Sequence, residues 1–436
     1  MFWRVCYSLL GALLLPLLFV RLWWRGRKNP GYRKNIGERF GCYATTPLRN
    51  TIWIHAVSVG ETRAAAPLIA LLEQRYPESP IVLTHMTATG RATGETLFGN
   101  RITQFWLPYD YRFAVRAFFD HVQPKWALLM ETEIWPNAIT ECARRRLPCF
   151  LVNARMSERS AARYARLASF TRPLFAMLTG IAAQTEDDAQ RFRELGARDV
   201  TVTGNLKFDI NVPENARSLG AVLRQRFCQK PGQRPVWIAA STRASANSSE
   251  EALLLDALQR QPDALPPRTL TVIVPRHPER FENVAAQLRA RNLAFVKRSD
   301  EADVPPEVSF VLGDSMGEMF AYYAAADLAF VGGSLLPLGG QNLLEPLAMG
   351  ASALIGSHTF NFKDISAAAC AAGAVMRVSD ADELIVRAGA LLRSDETRNA
   401  MRDAGLRFLQ EHRGAAERLA QWLGRYGAGI SKKNNP

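Results

Sequence analysis

Residues 51–54, Thr-Ile-Trp-Ile, run directly into HAVSVGE at residues 55–61, and TRAAAPLIALLEQRY follows at 62–76. Four apolar or β-branched residues in a row read as a buried strand, and the stretch after the turn has the spacing of a helix. A strand passing straight into a helix is half of a βα unit, and open sheets of such units hold ligands at the carboxyl ends of their strands. The turn at that place ordinarily offers glycine and backbone N–H groups to an anion. Here it offers Gly60 and then a carboxylate, Glu61. At the start of a helix the dipole favours the ionised form of that side chain.

The alternation continues outward from this unit. TIWIHAV, PIVLTHM, TQFWLPY, KWALLM, PCFLVNA, GIAAQ and DVTVTG are strand-like, with helical stretches such as AITECARRR between most of them. Residues 205–235 are less regular and contain Pro213, Pro231, Gly232 and Pro235, so a linker is placed at 211–235. The pattern then restarts with PVWIAAS, TLTVIVP, LAFVKR, VSFVLG, DLAFVGG, SALIGS and AVMRV. This order predicts an α/β protein of two Rossmann-like, parallel-sheet domains at 35–210 and 236–410, facing one another across a cleft. A C-terminal helix and basic tail occupy 411–436, and 1–34 stand apart as an anchor with a basic linker. The chain of 436 residues is long enough for both cores.

Hydrophobic residues make up 48% and charged residues 22%, a globular balance, while the net charge of +13 is unevenly placed. Arg4, Arg21, Arg25, Arg27, Lys28, Arg33 and Lys34 fall within the first 34 residues, which contain no acid. That asymmetry points to an anionic membrane surface rather than a nucleic-acid groove. VCYSLLGALLLPLLFV, residues 5–20, is uncharged and is followed by Arg21 and then Trp23 and Trp24. The segment predicts an uncleaved membrane anchor, spanning or dipping into the bilayer, with aromatic residues at the interface and the basic cluster on the cytoplasmic side. No small-residue cleavage site follows it. The six cysteines are scattered without a Cys-x-x-Cys pair, and the histidines have no metal-ligand spacing. The sequence thus gives no metal site and no disulfide framework, as expected in a reducing compartment.

Several strand ends carry groups with chemical potential. VIVPRHPERF places Pro275 and Arg276 after a strand, and arginine's planar fork suits a phosphate. VLGDSMGEMF offers the backbone of Met316, Gly317 and Glu318 at a helix start. In DLAFVGGSLLPLGGQNLLEPLAMG, glycines flank an apolar loop, and Asn342 and Glu345 stand three residues apart. A capping box gives that spacing, and so does a carboxylate placed to accept two ribose hydroxyls. METEIWPN ends a strand with Glu131 and Glu133, and TGNLKFD supplies Lys207. Asp380 and Asp382 read as acids of a helix start rather than metal ligands.

Together the segments GERFG, HAVSVGE, THMTATGR, LPYD, METEIWPN, NARMSERSA, GNLKFD, VPRHPERF, GDSMGEM, FVGGSLLPLGGQNLLEP and GSHTFNFKDI resemble, in order over residues 37–366, the 3-deoxy-manno-octulosonic acid (Kdo) transferases of lipopolysaccharide synthesis. The resemblance implies a glycosyltransferase-B fold, with the acceptor on the first domain and CMP-Kdo on the second. It implies inverting transfer of Kdo to a lipid A precursor, lipid IVA, at the cytoplasmic side of the inner membrane, with no cofactor. By the same resemblance Glu61 matches the general base, and Glu131 and Lys207 match positions that stabilise the transition state. Pro275 with Arg276, Met316 to Glu318, and Asn342, Leu343, Leu344 and Glu345 match the CMP-contacting segments. The chain departs from the family at Gln341, where histidine is usual, and at RASANSSEE, where a Gly-Glu-Glu turn is common. Residues Ser241 to Glu250 accordingly receive no role beyond a strand-end loop.

Two alternatives stand beside this reading. One is a different lipopolysaccharide-core glycosyltransferase of the same fold that uses a UDP or ADP sugar. The other is a membrane-tethered nucleotide- or lipid-binding protein without catalysis, for which a base such as Glu61 has no purpose.

Overall fold

The computed structural model describes Tyr7 and residues 16–27, 29–228 and 234–431. Two compact units result. The first runs as far as Asp209 and takes up the chain again from His412; the second is Ile210–Glu411.

The first unit is a parallel sheet of β1 (Thr51–His55), β2 (Ile81–His85), β3 (Thr103–Trp106), β4 (Pro124–Met130), β5 (Cys149–Ala154), β6 (Gly180–Ala183) and β7 (Val200–Val202). The strand order is β3-β2-β1-β4-β5-β6-β7. Both faces of the central strands are covered, so β1, β2 and β5 are buried at every position. That is why they read as continuous apolar runs rather than alternating ones. The order reverses between β1 and β4, and a crevice opens at the carboxyl ends of the strands where such a reversal occurs. Glu61 follows β1, and Glu131 follows β4.

The second unit repeats the plan with β8 (Val236–Thr242), β9 (Leu270–Pro275), β10 (Phe295–Lys297), β11 (Phe310–Leu312), β12 (Leu328–Val331), β13 (Ser352–Ile355) and β14 (Val375–Arg377). Their order is β10-β11-β9-β8-β12-β13-β14, again parallel, with the reversal between β8 and β12. Each of the fourteen strand-like segments of the sequence holds one of these strands.

Two parts of the chain differ from expectation. Residues 211–235, read as linker, contain the helix Ala216–Cys228. Ala216, Gly220, Leu223 and Phe227 form its buried stripe, at the spacing of one helix face. A side chain at Gly220 would place its Cβ 2.4 Å from Ala324 Cβ, so glycine permits the close approach of this helix to the helix Met319–Ala325. The C-terminal helix, Ala415–Ser431, is not an appendage, because it completes the first unit's core. Trp422 and Tyr426 pack edge-on against Phe150 at 5.3 and 4.9 Å, and Asp209 accepts from the N–H groups of Gly414 and Ala416 at the helix start.

The anchor expected over residues 1–24 falls largely outside the described residues. Residues 16–27 are helical, and among the described residues no helix is long and apolar enough to cross a membrane.

Candidate active site

Glu61 lies in the first turn of the helix Val59–Arg75. Ser58, the residue before that helix, is extended and makes no side-chain cap. Glu61 instead folds back over the turn that precedes the helix. Its Oε2 accepts from the Val57 N–H, and Ser58 Oγ reaches Oε1 at 3.5 Å. Val57 lies just ahead of the cap residue, so the carboxylate reaches back over the turn and ties it to the first turn of the helix. Its protonation differs from the sequence reading. Burial pushes the Glu61 carboxyl up to about 8, the charge of Glu131 adds to the rise, and the Val57 N–H opposes both. A helix dipole contributes less than removal of water and a like charge do at this depth.

Glu131 is the residue that turns the chain out of β4. Its N–H stays in the sheet, donating to Val152 O at 3.0 Å, while its φ of +55° is left-handed. A non-glycine residue in that region costs about 1 kcal/mol or more, and such strain is typically kept where a side chain must be aimed. Lys207 Nζ lies 3.3 Å from Glu131 Oε1. Lys207 sits in the single turn Leu206–Phe208, which two asparagines hold. Asn205 Oδ1 accepts from Lys207 N–H and Asn153 Oδ1 from Leu206 N–H, both at 3.0 Å. Asn153 is fully buried and also left-handed, at φ +50°. The three residues expected to act together therefore share one strand-end cluster.

Two further carboxylates belong to this region. Glu133 Oε2 stands 3.9 Å from Nε2 of the fully buried His55, and burial raises the Glu133 carboxyl. Burial, with the charge of His85 second, pushes His55 down to about 3, so the imidazole is neutral and the contact is no ion pair. Asp110 of the LPYD segment accepts from the N–H groups of Asn137 and Ala138 at 2.9 and 3.0 Å. It thereby holds the start of the helix Pro136–Arg145, which follows the Glu131–Glu133 turn. Burial raises it to about 6. Nothing in its local sequence announces this, because its partners lie 27 and 28 residues away.

In the second unit Pro275 ends β9, and Arg276 N–H donates to Thr242 O at 2.9 Å, fixing the backbone from which the guanidinium extends. Met316 is 54% exposed, Gly317 is left-handed at φ +80°, and Glu318 accepts from Ser315 Oγ and Arg298 Nη2 at 2.5 and 3.0 Å. Asn342 Oδ1 accepts from Leu344 N–H at 3.1 Å, and its Nδ2 donates to Glu345 Oε1 at 3.2 Å. This is not the capping-box placement, since the residue at the cap of the helix Leu344–Met349 is Leu343 and Asn342 stands one residue ahead of it. Leu343 and Leu344, expected beside the nucleotide, are both buried as whole residues and pack beneath the turn that carries Asn342 and Glu345. Tyr323 joins the segments. Burial raises its phenol far above the ordinary range, the charge of Glu345 raises it further, and that of Arg276 lowers it. Asp380 caps the helix Ala381–Arg393, and Asp382 pairs with Arg260 at 2.8 Å, as acids of a helix start do.

A family profile described as 3-Deoxy-D-manno-octulosonic-acid transferase (kdotransferase) matches residues 34–210. A 3-deoxy-D-manno-octulosonic acid transferase of Bordetella pertussis is 42% identical over 438 aligned residues, covering 97% of this chain and 100% of that one. The enzyme of the same name from Haemophilus influenzae is 38% identical over 429 residues, covering 97% and 99%. Among solved structures, a glycosyltransferase from Rickettsia africae is similar in fold, with a TM-score of 0.55 at 12% identity, covering 89% of this chain and 100% of that one. With near-complete coverage at these identities, the chain belongs to the 3-deoxy-D-manno-octulosonic acid transferase family.

Proposed function

We infer that this chain transfers Kdo from CMP-Kdo to the glucosamine disaccharide of a lipid A precursor, lipid IVA, with inversion and release of CMP. The observation that carries the reading is the cluster of Glu61, Glu131 and Lys207 at the strand ends around the β1–β4 reversal. Glycosyl transfer passes through a centre with oxocarbenium character. The acceptor hydroxyl oxygen bonds to the anomeric carbon of Kdo as the bond from that carbon to the CMP phosphate oxygen breaks. The hydroxyl proton passes to the Glu61 carboxylate, and CMP departs with the bonding electrons.

Glu61 with a pKa of about 8 holds a proton more strongly than an ordinary carboxylate and is therefore the stronger base, with its pKa near the operating pH. It is also protonated in a large share of molecules at neutral pH. Glu131 faces the developing positive charge, and Lys207, paired with it, limits how far the Glu131 charge raises Glu61. Arg276 meets the CMP phosphate through its planar fork, and Glu345 accepts from the ribose hydroxyls.

The reaction belongs at the cytoplasmic face of the inner membrane. Support comes from the basic N-terminus and from Trp23 and Trp24, each 57% exposed on the helical residues 16–27. Mass spectrometry of lipid IVA incubated with CMP-Kdo and the protein tests the proposal. An added Kdo mass supports it. Modification by UDP- or ADP-sugars with none by CMP-Kdo identifies the other glycosyltransferase instead.

A further inference from the structure

Glu250 is fully buried, and four backbone N–H groups converge on its carboxylate. Oε1 accepts from Ser334 and Leu335 at 3.0 and 2.9 Å, and Oε2 from Arg243 and Gly333 at 2.9 and 2.6 Å. Successive N–H groups aimed at one point form an anion nest, the device that commonly holds a ligand phosphate at a strand end. In this protein the chain's own carboxylate occupies it. Burial opposes ionisation of Glu250, and the N–H groups of Gly333, Arg243 and Leu335 favour it.

The loop held this way leads to the residues read as the donor site. Gly332 O accepts from Gln341 N–H at 3.0 Å and Gly333 O from Gly340 N–H at 2.6 Å, closing the glycine-flanked loop on itself. Asn342, which holds Glu345, is the next residue. The loop also passes too close to β8 for any side chain at Gly332, where a Cβ would stand 2.6 Å from Ser241 O. Glu251, equally buried, works on the neighbouring segment. It accepts from Thr242 Oγ1 and from Arg280 Nη2, both at 2.8 Å, and Arg280 belongs to the turn after Arg276.

We propose that Glu250 is a positioning residue for the donor: its carboxylate stands where a ligand anion would and fixes the loop that delivers Asn342 and Glu345. Glu251 fixes the turn behind Arg276 in the same manner. This role rests on the reading of those segments as the CMP site, and it replaces the absence of a role expected for Ser241 to Glu250.

Glu250→Gln tests it in the full-length protein. The amide keeps the size of the side chain, yet one pair of N–H groups loses its acceptor and meets an NH₂ group. CMP affinity by calorimetry should fall on the order of tenfold or more, and the KM for the donor should rise with it. The KM for the lipid acceptor should stay unchanged, and kcat at saturating donor should remain within a few-fold. A lowered melting temperature with full CMP affinity in the folded protein is the signature of a purely structural acid and overturns the proposal. Should Glu250→Gln not fold, Glu251→Gln carries the test, with weakened CMP binding expected and undiminished binding contradicting it. Glu345→Ala is the companion arm. If it weakens CMP while the Glu250 variant does not, the positioning role alone fails; if it leaves CMP affinity intact, the donor-site reading itself fails.

Discussion

Lys207 Nζ lies 3.3 Å from Glu131 Oε1, and the charge of Glu131 in turn acts on Glu61. The lysine is therefore electrostatically upstream of Glu61, the proposed base. Removing Lys207 leaves the Glu131 charge unopposed, which raises Glu61 further and moves the rising limb of the pH–rate profile to higher pH. Glu131→Gln removes the charge and moves the limb to lower pH. Each displacement should be roughly half a pH unit or more, whatever happens to the plateau rate. The profile of kcat/KM reads it, and limbs that coincide with wild type in both variants contradict the coupling.

The same protonation equilibrium appears in stability. The folded-state pKa of Glu61, about 8, lies above its ordinary 4.5, so the folded protein holds this proton more tightly than the unfolded chain does. The stabilisation from this group is complete below about pH 4.5 and is lost as pH rises through about 8. Glu61→Gln cannot ionise and escapes that loss. Between about pH 5 and pH 9 its melting temperature should therefore gain on that of wild type. A gap that stays constant across the range places Glu61 in water rather than in a buried site.

Arg276 and Glu345 are assigned to different parts of CMP, and this separates their variants. Arg276→Ala should weaken CMP by about 1.5–3 kcal/mol and leave cytidine nearly unaffected, because only the phosphate contact is lost. Glu345→Ala should weaken CMP and cytidine alike, by a similar amount. Calorimetry with both ligands distinguishes the patterns, and equal losses of cytidine in both variants contradict the assignment of the phosphate to Arg276.

The fourteen strands were legible because each is a short apolar or β-branched run ending in glycine, proline or a polar residue, most plainly in the central strands, which are covered on both faces. The helix Ala216–Cys228 was not, since Pro213 before it and the prolines after it outweighed its four-residue buried stripe. The position of Glu61 could be read from its turn, but its protonation could not. That depends on burial and on a charge seventy residues further along. Glu250 was hidden for the same reason: three of its four N–H partners lie 83 to 85 residues away. Local sequence reports which groups are present, whereas their ionisation and partners are set by the fold.

The proposed membrane contact of residues 1–24 rests on their composition. A chain lacking them should fold and turn over detergent-dispersed acceptor at close to the full rate, yet no longer sediment with vesicles containing anionic lipid. Full retention on those vesicles gives the contact to other parts of the protein.

The most direct test of the account is single-turnover transfer by Glu61→Gln from CMP-Kdo already bound. The substitution keeps the shape of the side chain and a carbonyl oxygen for the Val57 N–H but removes its capacity to take a proton. General-base catalysis contributes about 10²–10⁴-fold, so the transfer rate should fall by at least about a hundredfold with CMP affinity unchanged and a normal melting transition. Transfer within a few-fold of wild type by that folded variant would show that Glu61 only ties the turn to its helix and that the proton goes elsewhere.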